Sequence, residues 1–246
     1  MTQLRRAVAA ILLLLTCAGS ARAIVGESSD GGERADETVM LLTRGPEGSG
    51  FCTGIVLTPR VILTAAHCLR PAADMRVHFR DAAGAPVILE VESVVVHPEY
   101  RKDAQARRTR SIDLGLLTTK IDLPARFRPA KRSEAPAPSP GQNVSVVGYG
   151  LQREGEPKTG GALRAARMNV REPRSQVLLW LAPMGEFGGA CSGDSGGPIY
   201  AEDNSVVALV AWTEGKQGRN CGALTQGVLL APLRNLLDST LSRLGQ

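Results

Sequence analysis

In the run Cys191-Ser192-Gly193-Asp194-Ser195-Gly196-Gly197-Pro198, Ser195 sits among three glycines and an acid. A turn of that composition exposes its backbone and presents the hydroxyl as a nucleophile. Gly193 carries no Cβ, so its N–H and that of Ser195 can aim at one point, which is what holding an oxyanion requires. A serine hydroxyl needs a base to attack. The segment Leu63-Thr64-Ala65-Ala66-His67-Cys68 supplies one. The His67 imidazole can take the hydroxyl proton near neutral pH and return it to a leaving amine. Asp113, in Ser111-Ile112-Asp113-Leu114-Gly115-Leu116-Leu117, is a single acid at the start of an apolar strand. Left unpaired there it would be costly to bury. Pairing it with His67 removes that cost, fixes the imidazole tautomer and stabilises the imidazolium that forms during attack. The three groups are a nucleophile, a base and an orienting acid, in chain order His, Asp, Ser, and their joint chemistry is acyl transfer. His78 and His97 lie in strand and turn contexts and read as structural. No Cys-x-x-Cys or His-Glu-x-x-His motif occurs, so no metal and no cofactor is expected.

These residues need short strands to carry them. Gly54-Ile55-Val56-Leu57 and Val61-Ile62-Leu63-Thr64-Ala65, separated by Thr58-Pro59-Arg60, read as a hairpin that delivers His67. Further strands are predicted over 143–150, 177–181, 198–200 and 206–212. The stretch 124–141, with Pro124, Pro129, Pro136, Pro138, Pro140 and Gly141, reads as a linker between two β-rich halves. Near the end, Leu233, Leu236, Leu237, Leu241 and Leu244 recur at helical spacing. Composition agrees: of 246 residues 43% are apolar but only 4% aromatic, and the 27 glycines and 15 prolines suit many strands joined by turns. Arg5-Arg6, an apolar run from Ala7 to Leu15, and Ala21-Arg22-Ala23 have the layout of a secretory signal peptide over 1–23. That run is too short to anchor in a membrane. Three of the 29 basic residues and none of the 24 acidic ones lie in 1–23, which leaves 26 against 24 from Ile24 onward. So near-neutral a balance implies no nucleic-acid partner. Arg101 to Arg110 is locally basic and reads as a solvated loop, or as a surface that selects substrates or anions.

The segments around His67, Asp113 and Ser195 resemble those of the chymotrypsin-like (trypsin-like) serine proteases, and the layout suits an exported, bacterial-type member. The resemblance implies an all-β fold of two six-stranded antiparallel Greek-key barrels with a C-terminal helix, in one protease domain over 24–246. It implies disulfides Cys52–Cys68 and Cys191–Cys221. Ile24-Val25-Gly26 resembles the start that the family exposes on activation, so cleavage after Ala23 would free an amine to pair with Asp194. It also implies a substrate pocket formed by Gly189, Ala190, Ala211, Trp212, Thr213 and Gly227. Glycine at 189 offers no acid for Lys or Arg, which points to small or medium uncharged side chains before the scissile bond. Thr213 should narrow the entrance and Gly227 should leave depth. Ala211 stands where a serine usually bonds the catalytic acid. The expectation is an exported serine endopeptidase, secreted or periplasmic, monomeric, acting on protein or peptide substrates. The alternative is a non-catalytic, protease-shaped binding protein using its basic loops. A third reading, an esterase on the same fold, stays open.

Overall fold

The computed structural model describes residues 24–245 apart from 27, 47, 108, 173 and 174. The leader expected over 1–23 lies outside the described residues. Two very short strands open the chain, β1 (Val25–Gly26) and β2 (Ser29–Asp30). The first barrel follows from β3 (Thr38–Gly45), β4 (Gly48–Val56), β5 (Val61–Thr64), β6 (Met75–Arg80), β7 (Pro86–Val96) and, after a short helix α1 (Ala104–Arg107), β8 (Gly115–Thr119). These six strands close in the order β3-β4-β5-β8-β7-β6. Alternation sets which face is inside: in β6, Met75, Val77 and Phe79 are buried while Arg76 and His78 between them are partly exposed. Val61, Ile62, Leu63 and Thr64 of β5 are all buried, as a strand must be when it is covered on both faces.

The second barrel is built from β9 (Asn143–Gly148), β10 (Arg164–Arg171), β11 (Leu178–Pro183), β13 (Pro198–Tyr200), β14 (Val206–Glu214) and β15 (Leu224–Leu229). Pairing runs β11-β15-β14-β13-β9-β10, and β10 pairs β11 to close the ring; β2 adds at the β10 edge. Short β12 (Gly188–Gly189) pairs only with β1, Val25 opposite Gly189. Closure of both rings leaves few strand edges to satisfy.

One apolar cluster fills the second barrel with Val144, Val146, Met168, Leu181, Ile199 and Val210. A larger one runs from Leu41, Ile55 and Leu63 of the first barrel to Val206 and Leu209 of the second, and on to Leu233 and Leu237. Leu237 belongs to the final helix α2 (Arg234–Arg243), whose buried face seals this junction. The proline-rich crossing is stitched to both barrels, with Ala130 N–H donating to Val56 C=O at 2.8 Å and Ser133 N–H to Val206 C=O at 2.9 Å.

Candidate active site

His67 follows β5 in a single 3-10 turn, Ala66–Cys68, that Cys68 ties to Cys52 of β4 through a disulfide. Asp113 lies just before β8 between Ile112 and Leu114, both fully packed. Gly115 lets this loop approach closely, since a Cβ there would collide with the Leu69 side chain and stand 2.9 Å from Val95 C=O. The result is a two-point clamp. Asp113 Oδ1 accepts the His67 backbone N–H at 2.9 Å, and Oδ2 lies 2.6 Å from His67 Nδ1. A carboxylate can only accept, so Nδ1 carries the proton and Nε2 keeps its lone pair for use as a base. Tyr100 flanks the acid, and burial followed by the Asp113 charge holds its phenol above the ordinary range.

Ser195 comes from the second barrel, in the loop between β12 and β13. Gly193 adopts φ +100, and a Cβ on it would run into the Phe51 ring; Gly196 adopts φ +82 with its missing Cβ against Thr64 and Thr53. Only glycine takes such a backbone in so little space. The carbonyls of this loop are all held: Ser192 C=O by Leu151 N–H at 2.9 Å, Asp194 C=O by Gly197 N–H at 2.9 Å, Ser195 C=O by Thr53 N–H at 2.9 Å, and Gly193 C=O by the Thr53 hydroxyl at 2.8 Å. Among the described hydrogen bonds, the N–H groups of Gly193 and Ser195 are not used. The Cys68 sulfur lies 3.7 Å from His67 Nε2 and 3.7 Å from Ser195 C=O, so the imidazole and the Ser195 backbone reach the same atom from two barrels.

Asp194 is fully buried. Its carboxyl accepts Gly150 N–H at 2.7 Å and Cys191 N–H at 2.9 Å, and burial pushes its pKa up to about 7. Gly148 and Gly150 are required beside it, because a Cβ on either would overlap the carboxyl oxygens. Ile24 is also fully buried, and β1 hooks the start of the chain onto Gly188 and Gly189.

Gly227 was expected on the pocket wall, yet a Cβ there would meet Ile199, Leu209 and Ala208, which are core residues of the second barrel. A β-bulge between Val210 and Trp212 shifts the register, setting Thr213 opposite Thr225 and Trp212 opposite Gln226. Thr225 therefore stands beside the floor. Its hydroxyl accepts Ala190 N–H at 3.2 Å and would lie 3.0 Å from a Cβ on Gly189. Thr213, half-exposed, donates its hydroxyl to Asn220 C=O at 2.9 Å across the loop that Cys221 and its disulfide to Cys191 close. Ala211 is buried and offers Asp113 no hydroxyl, and both hydrogen bonds described at Asp113 come from His67. Thr53, Thr64 and Thr225 make contacts beside these residues that the motifs do not indicate.

The other candidates lie elsewhere. His97 is buried, its Nδ1 accepting Glu99 N–H at 3.0 Å, and burial lowers its pKa; His78 Nδ1 lies 3.0 Å from Val87 C=O. In the basic loop, Arg107 pairs with Asp103 and Arg110 with Glu99. Lys102 and Arg70 line a groove of about 910 Å³ that passes His67. Cys52, His67 and Cys68 cluster closely, but both sulfurs are taken by the disulfide and offer no thiolate.

The fold has counterparts among solved structures, and the sequence has relatives. The trypsin from Saccharopolyspora erythraea is 29% identical over 194 residues, spanning 72% of this chain and 81% of that protein. Human kallikrein-14 is 29% identical over 188 residues, 70% of this chain and 67% of its own. Among solved structures, one titled "Structure of GrC" superposes with a TM-score of 0.72 at 20% identity, covering 89% of this chain and 100% of that one. The scabies mite inactivated protease paralogue S-I1 gives 0.71 at 21% identity, covering 89% and 99%. These two show the fold alone. The sequence pattern of the trypsin family matches residues 24–230. On that match the chain belongs to the trypsin family and is a serine endopeptidase.

Proposed function

We propose that the chain cleaves peptide bonds through an acyl-enzyme on Ser195, with His67 as general base and acid and Asp113 as the group that orients it. The observation that carries this reading is the two-point clamp of Asp113 on His67, 2.9 Å to the backbone and 2.6 Å to Nδ1, beside a nucleophile loop with two unspent N–H groups. His67 Nε2 takes the Ser195 proton as Oγ attacks the carbonyl carbon, and the N–H groups of Gly193 and Ser195 hold the resulting oxyanion. The tetrahedral intermediate collapses, His67 protonates the leaving amine, and water repeats the sequence to free the acid. A binding protein on this fold would have no use for an imidazole held in one tautomer with its second nitrogen free.

The residue before the scissile bond enters beside Gly189, Thr213 and Thr225. None of Gly189, Ala190, Ala211, Trp212, Thr213 and Thr225 is a carboxylate, so a Lys or Arg cation held among them would be left unpaired, at a cost of several kcal/mol. Two threonines at wall and entrance favour small uncharged side chains, Ala and Val above Leu. The Ile24 amine freed by cleavage after Ala23 is proposed to pair with Asp194, whose buried carboxyl has only backbone donors among the described residues. The two disulfides belong to an oxidising compartment, and among the described residues no helix is long and apolar enough to cross a membrane. We assign the protein to the exported fraction, secreted or periplasmic, as a monomer. Cleavage of a peptide library by the processed chain tests the reading: uncharged small residues should rank first. A library in which Arg and Lys led would overturn the pocket assignment.

A further inference from the structure

We propose that Thr53 is a positioning residue for the oxyanion hole, a first-barrel side chain that anchors the Gly193–Asp194 peptide lying between the two donor N–H groups; this rests on the acyl-enzyme reading above. A loop of three glycines has little torsional preference of its own, so its N–H groups aim at one point only if something outside the loop fixes it. Of the four carbonyls from Ser192 to Ser195, Thr53 holds two: Ser195 C=O through its backbone N–H at 2.9 Å and Gly193 C=O through its hydroxyl at 2.8 Å. The other two are held by backbone N–H groups of Leu151 and Gly197. The direction of the hydroxyl proton follows from its second contact. Tyr149 N–H donates to Thr53 Oγ1 at 3.1 Å, and an N–H can only donate, so the hydroxyl proton goes to Gly193 C=O. The Gly193 N–H shares its peptide plane with Ser192 C=O, held by Leu151 N–H, and the Ser195 N–H shares its plane with Asp194 C=O, held by Gly197 N–H; the Thr53 hydroxyl anchors the peptide between these two planes and so sets how the two donors stand to one another.

Thr53 is itself held. Its carbonyl accepts the Thr64 hydroxyl at 2.8 Å, and both threonines are fully buried. Thr64 lies three residues before His67, and Cys52 next to Thr53 is bonded to Cys68 next to His67. The strand that delivers the base and the loop that delivers the nucleophile thus meet through Thr53, whose carbonyl accepts from Thr64 and whose hydroxyl donates to Gly193.

Thr53→Val keeps the shape and removes the hydroxyl. After normalising to sites titrated by a fluorophosphonate, kcat on a small-residue peptide should fall about 10- to 100-fold, less than the loss of a donor itself, with KM within about twofold. Affinity for a peptide aldehyde, which borrows the oxyanion hole, should weaken in step with kcat/KM. Thr53→Ser, which restores the hydroxyl, should recover kcat to within about threefold. A purely structural threonine would lower the melting temperature and the titrated fraction and leave kcat per titrated site and aldehyde affinity alone; that result overturns the proposal. Should Thr53→Val not fold, Thr53→Ser against Thr53→Ala makes the same comparison. Wild-type protein that takes no fluorophosphonate overturns the acyl-enzyme reading itself, whereas a reactive wild type with an unaffected Thr53 variant overturns only the role given to Thr53.

Discussion

On the proposed mechanism, catalysis depends on a few groups whose contacts leave each one role. His67 has Nδ1 committed to Asp113 and Nε2 left free, so removing the ring removes the base outright. Ser195→Ala and His67→Ala are each expected to lower kcat by about three orders of magnitude or more, by similar amounts, because the groups act as a unit. Steady-state turnover with the fold checked by circular dichroism measures it. At the proposed pocket, Thr225 stands with Met168 against the Cβ position of Gly189. Thr225→Gly should raise the ratio of kcat/KM for Leu over Ala before the scissile bond by about tenfold, the scale set by one or two methylenes in a pocket. An unchanged ratio on a matched peptide pair would show that Thr225 does not bound the pocket.

At the scale of elements, the strands carrying the base and the acid were legible because apolar β-prone runs flank them. Val61 to Thr64 leads into His67, and Asp113 stands just ahead of Gly115 to Thr119. The C-terminal helix was legible from leucine spacing, and its cost can be stated. Leu237 is fully packed at the junction of barrels and helix, so Leu237→Ala should cost about 2–5 kcal/mol of stability, read from denaturant unfolding. The pocket wall was not legible. A bulge within β14 changes which residue of β15 faces Gly189, and a bulge leaves no mark in the alternation of Val206 to Trp212. Thr53 was not legible either, since a threonine in a strand between Cys52 and Gly54 looks like any β-former; only the loop folded against it shows what the hydroxyl does.

On the proposed reading, the fold as a whole couples the Ile24 nitrogen to the site. In a chain whose Ile24 nitrogen is still a peptide, Asp194 has no cation among the described residues, and burial pushes it up to about 7. The folded state then holds that proton more tightly than the unfolded chain, whose carboxyl titrates near about 4. The stabilisation is full below that lower value and is lost as pH climbs to about 7. A Ser195→Ala chain with one extra residue before Ile24 should therefore lose melting temperature between pH 4 and about 7 relative to the processed chain, whose amine supplies the missing charge. Equal melting curves for the two chains across that window would sink the pairing of Ile24 with Asp194.

The account as a whole depends on two barrels bringing His67 and Asp113 from one side to Ser195 on the other. Reaction of the processed chain with a fluorophosphonate, followed by peptide mapping, tests this most directly. The expected result is one adduct, on Ser195, formed about a thousandfold more slowly in His67→Ala. An adduct on any other residue, or a His67→Ala chain labelled as fast as wild type, would contradict it.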